Sequence, residues 1–229
     1  MLFSKVAAIN STGRKFPAKD KKVESMEQKS SNITDNSKEK HSFMAFLSRL
    51  KYIDRWSLMR NTDKENIAEH SLQVAMIAHL LAVIKNRYYG GKVNPDRSAV
   101  LSLYHDANET ITGDLPTPIK YFNTEMREVF KSIEDKANEK ILSMLPGEFR
   151  ETYREILFHN DSEEWLLVKA ADKISAYVKC IEEEKSGNDE FKKAKETLYT
   201  SIVSMGLPEV QYFIDKFLPS FYLSLDEFD

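Results

Sequence analysis

The stretch Tyr104-His105-Asp106-Ala107-Asn108-Glu109 sets an imidazole beside a carboxylate, with a second carboxylate three residues on. An imidazole and a carboxylate on one divalent cation, with another carboxylate a turn away, are suitable parts for activating water. Ala99, Val100, Leu101, Leu103 and Tyr104 lead in with helical apolar spacing, so the polar trio is expected to emerge from a buried helix. On such a helix Glu109 shares the side of His105 and Asp106, which themselves sit about 100° apart. An isolated His-Asp pair is more often a satisfied core histidine beside a capping or salt-bridged acid. What raises this one is its company.

Asp172 falls one turn after Val168, among Ala170, Ala171, Ile174 and Val178, which is an inward-facing setting. A buried carboxylate without a partner costs several kcal/mol unless a cation compensates it. The competing reading pairs it at the surface with Lys169 or Lys173. His70 opens an apolar-faced helix, where a lone histidine is more often part of a cap or core. Together His70, His105, Asp106 and Asp172 offer two imidazoles and two carboxylates from three helices. That donor set suits Mn, Fe, Co, Ni or Zn better than Ca, and four protein ligands leave room for water. His41 and His79 lack partners and are left out of the set.

The elements that must bring these residues together are helical. Gly and Pro number only seven each, and long stretches carry helical period, so the chain reads as all-α. Phe43, Phe46, Leu47, Leu50 and Ile53 predict a helix capped by Ser42 and closed by Arg55-Trp56, followed by a turn at Asn61-Thr62-Asp63. A second helix is opened by Glu69-His70-Ser71 and ends near Gly90-Gly91. A third begins at Asn94-Pro95. The Gly and two Pro of Thr112-Gly113-Asp114-Leu115-Pro116-Thr117-Pro118 stiffen a loop directly downstream of the polar trio. Further helices are expected over 125–145, with a stripe of Met126, Val129, Ile133, Ala137, Ile141 and Leu145, then over 149–158, and over 165–184 behind the cap Asp161-Ser162-Glu163-Glu164. Phe191 to Ile202 and Val210 to Phe217 complete the pattern, with Pro208 between them.

The chain has 229 residues, 41% apolar and 30% charged, enough for a real core, and one domain is expected from residue 41 to 229. Residues 1–40, basic and without apolar period, are expected to be a disordered extension. An organelle-type presequence, or a mis-called extension with the true start at Met26, are the alternatives there. A net charge of -3 gives no basis for a nucleic acid polymer as partner. No run approaches the apolar length that a membrane span needs. Cys180 is the only cysteine, so no intramolecular disulfide forms, which fits a reducing compartment and a cytoplasmic location.

The order His70, His105-Asp106, Asp172 resembles that of the histidine-aspartate (HD) metal-dependent phosphohydrolase superfamily, whose fold is an all-helical bundle. The text around it is more specific: Phe46-Leu47-Ser48-Arg49-Leu50-Lys51, Arg55-Trp56, Leu58-Met59-Arg60-Asn61, Glu69-His70-Ser71-Leu72-Gln73-Val74-Ala75-Met76, Tyr104-His105-Asp106-Ala107, Thr112 to Pro118 and Pro219-Ser220-Phe221. These are similar to the bacterial 5′-deoxynucleotidases of that superfamily, from about residue 42 to the end. The resemblance implies hydrolysis of deoxyribonucleoside 5′-monophosphates, broad in base and selective against ribonucleotides. It implies that His70, His105, Asp106 and Asp172 bind the metal, with His70 and Asp106 also bordering substrate. By the same resemblance Arg55 holds the phosphate, Trp56 the sugar, and Asp114, Leu115, Pro116 and Thr117 the sugar and leaving oxygen. Glu109 then handles the proton of the attacking water. Cobalt is the metal expected to serve in assays, with Mn, Mg or Zn as alternatives, and a homodimer is expected. The competing functions are another HD hydrolase, acting on a nucleoside triphosphate or a phosphodiester, and a nucleotide-binding regulator without turnover.

Overall fold

A computed structural model describes residues 40–120, 122–158 and 161–228, less the side chains of Thr117 and Pro118. The expected N-terminal extension lies outside the described residues, apart from its last one. Among them there are α- and 3-10 helices and no strand, the sole bridge being Asp54 with Asn66. The all-α expectation holds. The α-helices are α1 (Phe43–Leu47), α2 (Ile67–Tyr88), α3 (Pro95–Tyr104), α4 (Glu109–Thr112), α5 (Thr117–Lys120), α6 (Thr124–Ser143), α7 (Arg150–Leu157), α8 (Glu163–Lys185), α9 (Lys192–Val203) and α10 (Pro208–Lys216).

Local sequence explains most of the boundaries. Asn66 Oδ1 accepts from Glu69 N while the Glu69 carboxylate accepts from Asn66 N, a reciprocal cap that starts α2 three residues before His70. Asn94 caps α3 with Pro95 at its first position, and Ser162 caps α8 by accepting from Trp165 N. Ser42 occupies the cap position of α1 without a side-chain bond, and the second half of that predicted helix tightens into a 3-10 turn, Ser48–Tyr52. On α6 the predicted stripe is buried only from Ala137 onward; Val129 and Ile133 are exposed.

Helices α2, α3 and α8 form the centre, burying Val74, Leu81, Leu101, Val168, Ile174 and Ile181 with Ile202 and Phe213 from α9 and α10. Helix α2 has 22 residues and an 18-residue window of mean hydropathy 1.6. By length and composition it could cross a membrane, contrary to the sequence expectation. That apolar character has a reason inside the protein, since Ile67, Val74, Ala78, Leu81 and Ala82 are buried among its neighbours. A second apolar cluster, Phe43, Leu47, Ile141, Leu142 and Leu157, joins α1, α6 and α7.

The segment between Arg55-Trp56 and α2 has almost no regular structure, and α8 holds it by a buried polar network. Glu183 accepts from Thr62 N at 2.8 Å and from Asn188 Nδ2 at 2.8 Å, and pairs with Lys179 Nζ at 2.6 Å. Lys179 Nζ also donates to the Asp63 carbonyl at 2.5 Å. Burial pushes the Glu183 carboxyl up, but bonds from Lys179, Asn188 and Thr62 outweigh it and bring it down to about 2. A depressed carboxyl stabilises the fold above its ordinary value and loses that contribution as pH falls toward the folded value. Glu183→Gln is therefore expected to be less stable than the parent at pH 7, with the difference narrowing by about 2 kcal/mol between pH 6 and pH 3. Urea unfolding of both proteins at the two pH values measures it, and a difference independent of pH contradicts the assignment.

Candidate metal centre and phosphate site

His70 lies in the first turns of α2, His105 follows the last residue of α3, and Asp172 stands midway along α8. Ligand atoms of His70, His105 and Asp106 all lie within 4.8 Å of one another, and Asp172 Oδ1 is 3.1 Å from His70 Nε2. The side chain of Asp172 is 41% exposed, because it faces a cleft rather than the core. Three of the four residues singled out from the sequence thus cluster, and Asp172 stands beside them against His70. The expected continuous helix through Glu109 is not there. Helix α3 stops at Tyr104, where the Ser102 carbonyl accepts from His105 N at 3.4 Å and from His105 Nδ1 at 2.6 Å rather than from Asp106 N. Tight turns carry the chain through 105–108, with Glu109 N bonded to the Asp106 carbonyl at 3.0 Å, and α4 begins at Glu109.

The bonds made by the imidazoles settle which nitrogen carries hydrogen. His105 Nδ1 faces a carbonyl, so it donates and leaves its Nε2 a lone pair. The Ser175 hydroxyl donates to Gln73 Oε1 at 2.5 Å, so it accepts from His70 Nδ1 at 3.1 Å, and the His70 Nε2 is likewise a lone pair. Both Nε2 atoms are buried and make no hydrogen bond, although carboxylate oxygens stand 3.1 Å from each. In their neutral forms the two imidazoles turn a lone pair each toward the carboxylates, a donor set that fits a divalent cation.

The electrostatics agree. Burial raises the Asp106 and Asp172 carboxyls, but the nearby imidazoles outweigh it and both are lowered. Burial lowers His105, yet the Asp106 and Asp172 charges push it up to about 9, so a proton on its Nε2 competes with a cation for the place beside Asp106; burial with Arg55 lowers His70. The cluster is short of positive charge. Glu109 is pushed up to about 10 by burial, then by Asp106 and Asp114, and its buried Oε2 has no partner. A cavity of about 550 Å³ opens from the cluster, walled by His105, Asp106, Glu109, Lys120, Trp165 and Asp172. Its volume suits a nucleotide-sized ligand.

Arg55, Trp56 and Asp114 are not on that wall. Arg55 is close enough to Asp106 and Asp172 to feel both charges, and Trp56 N donates to Asp114 Oδ2 at 3.2 Å. That bond ties the Arg55-Trp56 segment to the loop after α4. Leu115 and Pro116 continue the loop half-buried, while the Thr117 side chain lies outside the described residues. Glu65, Ser175, Gln73 and Ser102 were not singled out from the sequence. The signal for the serines was their position: Ser102 and Ser175 are polar residues in otherwise apolar runs. Ser175→Ala is expected to weaken divalent ion affinity by about 10- to 100-fold with the fold intact. Calorimetric titration with cobalt measures it, and unchanged affinity contradicts the role given to Ser175.

Residues 42–221 match the family model described as 5′-deoxynucleotidase YfbR-like. A 5′-deoxynucleotidase of Cronobacter sakazakii is 52% identical over 187 residues, covering 81% of this chain and 94% of that protein. One from Vibrio parahaemolyticus is 52% identical over 192 residues, covering 83% and 98%. The crystal structure of an HD-domain phosphohydrolase from Listeria innocua superposes with a TM-score of 0.71 at 26% identity, covering 81% of this chain and 90% of that one.

Proposed function

The chain belongs to the YfbR-like 5′-deoxynucleotidase family, and with that as premise we propose that its metal centre hydrolyses deoxyribonucleoside 5′-monophosphates to deoxynucleoside and phosphate. The observation that carries this reading is the pair of buried imidazole Nε2 atoms, each 3.1 Å from a carboxylate oxygen of Asp172 or Asp106. His70, His105, Asp106 and Asp172 would hold the divalent ion, which when bound screens the phosphate dianion and lowers the pKa of a water.

The other roles are those the family resemblance implies. Arg55 takes the non-bridging phosphate oxygens, for which its planar fork suits better than an ammonium. One nitrogen, Nη1, is already committed to Glu65, and the guanidinium has further donors. Glu109 accepts the proton of the attacking water, within reach directly or through one bridge. Trp56 and the Asp114 to Thr117 loop border the sugar and the leaving oxygen, and His70 and Asp106 border the phosphate.

Base breadth and rejection of ribonucleotides are part of the proposal. Selectivity against a 2′-hydroxyl needs a clash or an unmet hydrogen bond near Trp56 and Asp114, because a pocket that merely tolerates the deoxy sugar gains little. Cobalt is the proposed metal for assays. Exposed Leu72 and Met76 on α2, with Val100 and Leu103 on α3, support the proposed homodimer. The cytoplasm is the proposed compartment, in keeping with the single free cysteine, Cys180. The test is phosphate release from a panel of deoxyribo- and ribonucleoside monophosphates with added divalent ions. All deoxyribonucleotides are expected to be cleaved and ribonucleotides hardly at all. Equal rates on both sugars overturn the selectivity, and no release from any of them overturns the activity.

A further inference from the structure

Glu65 takes no part in the reaction as set out above, yet it touches both residues that are to meet phosphate and sugar. Its Oε2 accepts from Arg55 Nη1 at 2.6 Å and from Trp56 Nε1 at 3.1 Å. Its carbonyl accepts from Arg55 N at 2.9 Å, and its Oε1 lies 3.9 Å from His70 Nδ1. The paired side chains are 12% and 13% exposed, so water competes little for either.

The backbone makes this anchor necessary. Trp56 is the one non-glycine residue among those described with a positive φ, +59°, a conformation that an L-residue keeps only when its surroundings enforce it. Phe191 against the indole, at 5.3 Å between centroids, and Asp114 on the backbone N–H supply part of that enforcement. Those contacts act on the ring face and the backbone, whereas the Glu65 oxygen accepts from both the indole N–H and the guanidinium. A buried indole N–H needs an acceptor, and a guanidinium on a three-carbon stem needs a partner to hold one direction.

We propose that Glu65 is a positioning residue, whose single carboxylate oxygen sets the guanidinium of Arg55 for the substrate phosphate and the indole of Trp56 for the sugar. This rests on the deoxynucleotidase reading of the site. Glu65 acts through those two side chains, so its effect depends on their presence. A carboxylate that only neutralised Arg55 would be replaced without loss by aspartate, and one that only stabilised the loop would keep its effect when both side chains are gone.

The test is a mutant cycle with cobalt-loaded protein, reading kcat and KM for deoxythymidine monophosphate. Glu65→Gln is expected to lower kcat/KM by about tenfold or more, with KM raised. In an Arg55→Ala, Trp56→Phe background the same substitution is expected to change it less than about twofold. Losses that multiply in full overturn the proposal. Glu65→Asp keeps the charge and withdraws the carboxylate by one methylene, so it is expected to retain the defect; wild-type kinetics in that variant also overturn it. Affinity for inorganic phosphate, measured by calorimetry on the same loaded proteins, reads the same coupling without turnover. A parent protein that releases no phosphate therefore sinks the deoxynucleotidase reading, while the coupling in phosphate binding still decides the role of Glu65.

Discussion

Glu109→Gln lowers kcat for deoxythymidine monophosphate by about 10²- to 10⁴-fold, with metal content and KM near those of the parent. Glutamine has nearly the same shape and fills the same place in the cavity wall, so binding survives. It cannot accept a proton at neutral pH, so the step that makes water a nucleophile is lost. The buried, unpartnered Oε2 of Glu109 is the atom free to do this. Burial and the charges of Asp106 and Asp114 push its carboxyl up to about 10. Glu109 ionises near neutral pH only where positive charge beside Asp106 offsets those neighbours, which ties proton acceptance to the cation site. Steady-state kinetics with metal analysis of both proteins checks this. Retention of kcat within about threefold removes Glu109 from the chemistry.

Asp106→Ala has the second large effect. It removes the carboxylate that stands 3.1 Å from His105 Nε2 and 3.8 Å from His70 Nε2, and so the group shared by both imidazoles. Bound divalent ion is expected to fall from about one per chain to near none, and phosphate release by about 10³-fold or more. The fold survives, because Asp106 lies in a turn beside the cavity and not in either apolar cluster. His79→Ala is the matched control, since His79, expected from the sequence to lack a partner, is an exposed histidine paired at 3.6 Å with exposed Asp96 and away from the cluster. It leaves metal content and turnover unchanged. Circular dichroism with metal analysis separates loss of the ion from loss of the fold, and a fully metallated Asp106→Ala protein contradicts the ligand assignment.

What could be read from the sequence was whatever depends on neighbours along the chain. Asn94-Pro95 and Ser162 announce their helix starts because a cap bond joins residues three apart. The four candidate ligands were legible as polar anomalies in apolar surroundings. The break after Tyr104 was not, because periodicity alone extends the helix through Glu109, while the backbone and ring of His105 both turn to the Ser102 carbonyl. The exposed half of the α6 stripe shows the same limit, since Val129 and Ile133 have helical spacing but no element among the described residues covers them. Glu65 was hidden for a different reason. Next to Asn66 at the start of α2 it looks like an ordinary first-turn acid, and only the fold brings its carboxylate onto Arg55 and Trp56.

All of this converges on one cation between α2, α3 and α8. Chelator-stripped protein titrated with cobalt, with deoxythymidine monophosphate hydrolysis followed on the same samples, tests it most directly. The expected result is no phosphate release from the stripped protein and recovery that saturates at one equivalent per chain. Undiminished release from the stripped protein would contradict it.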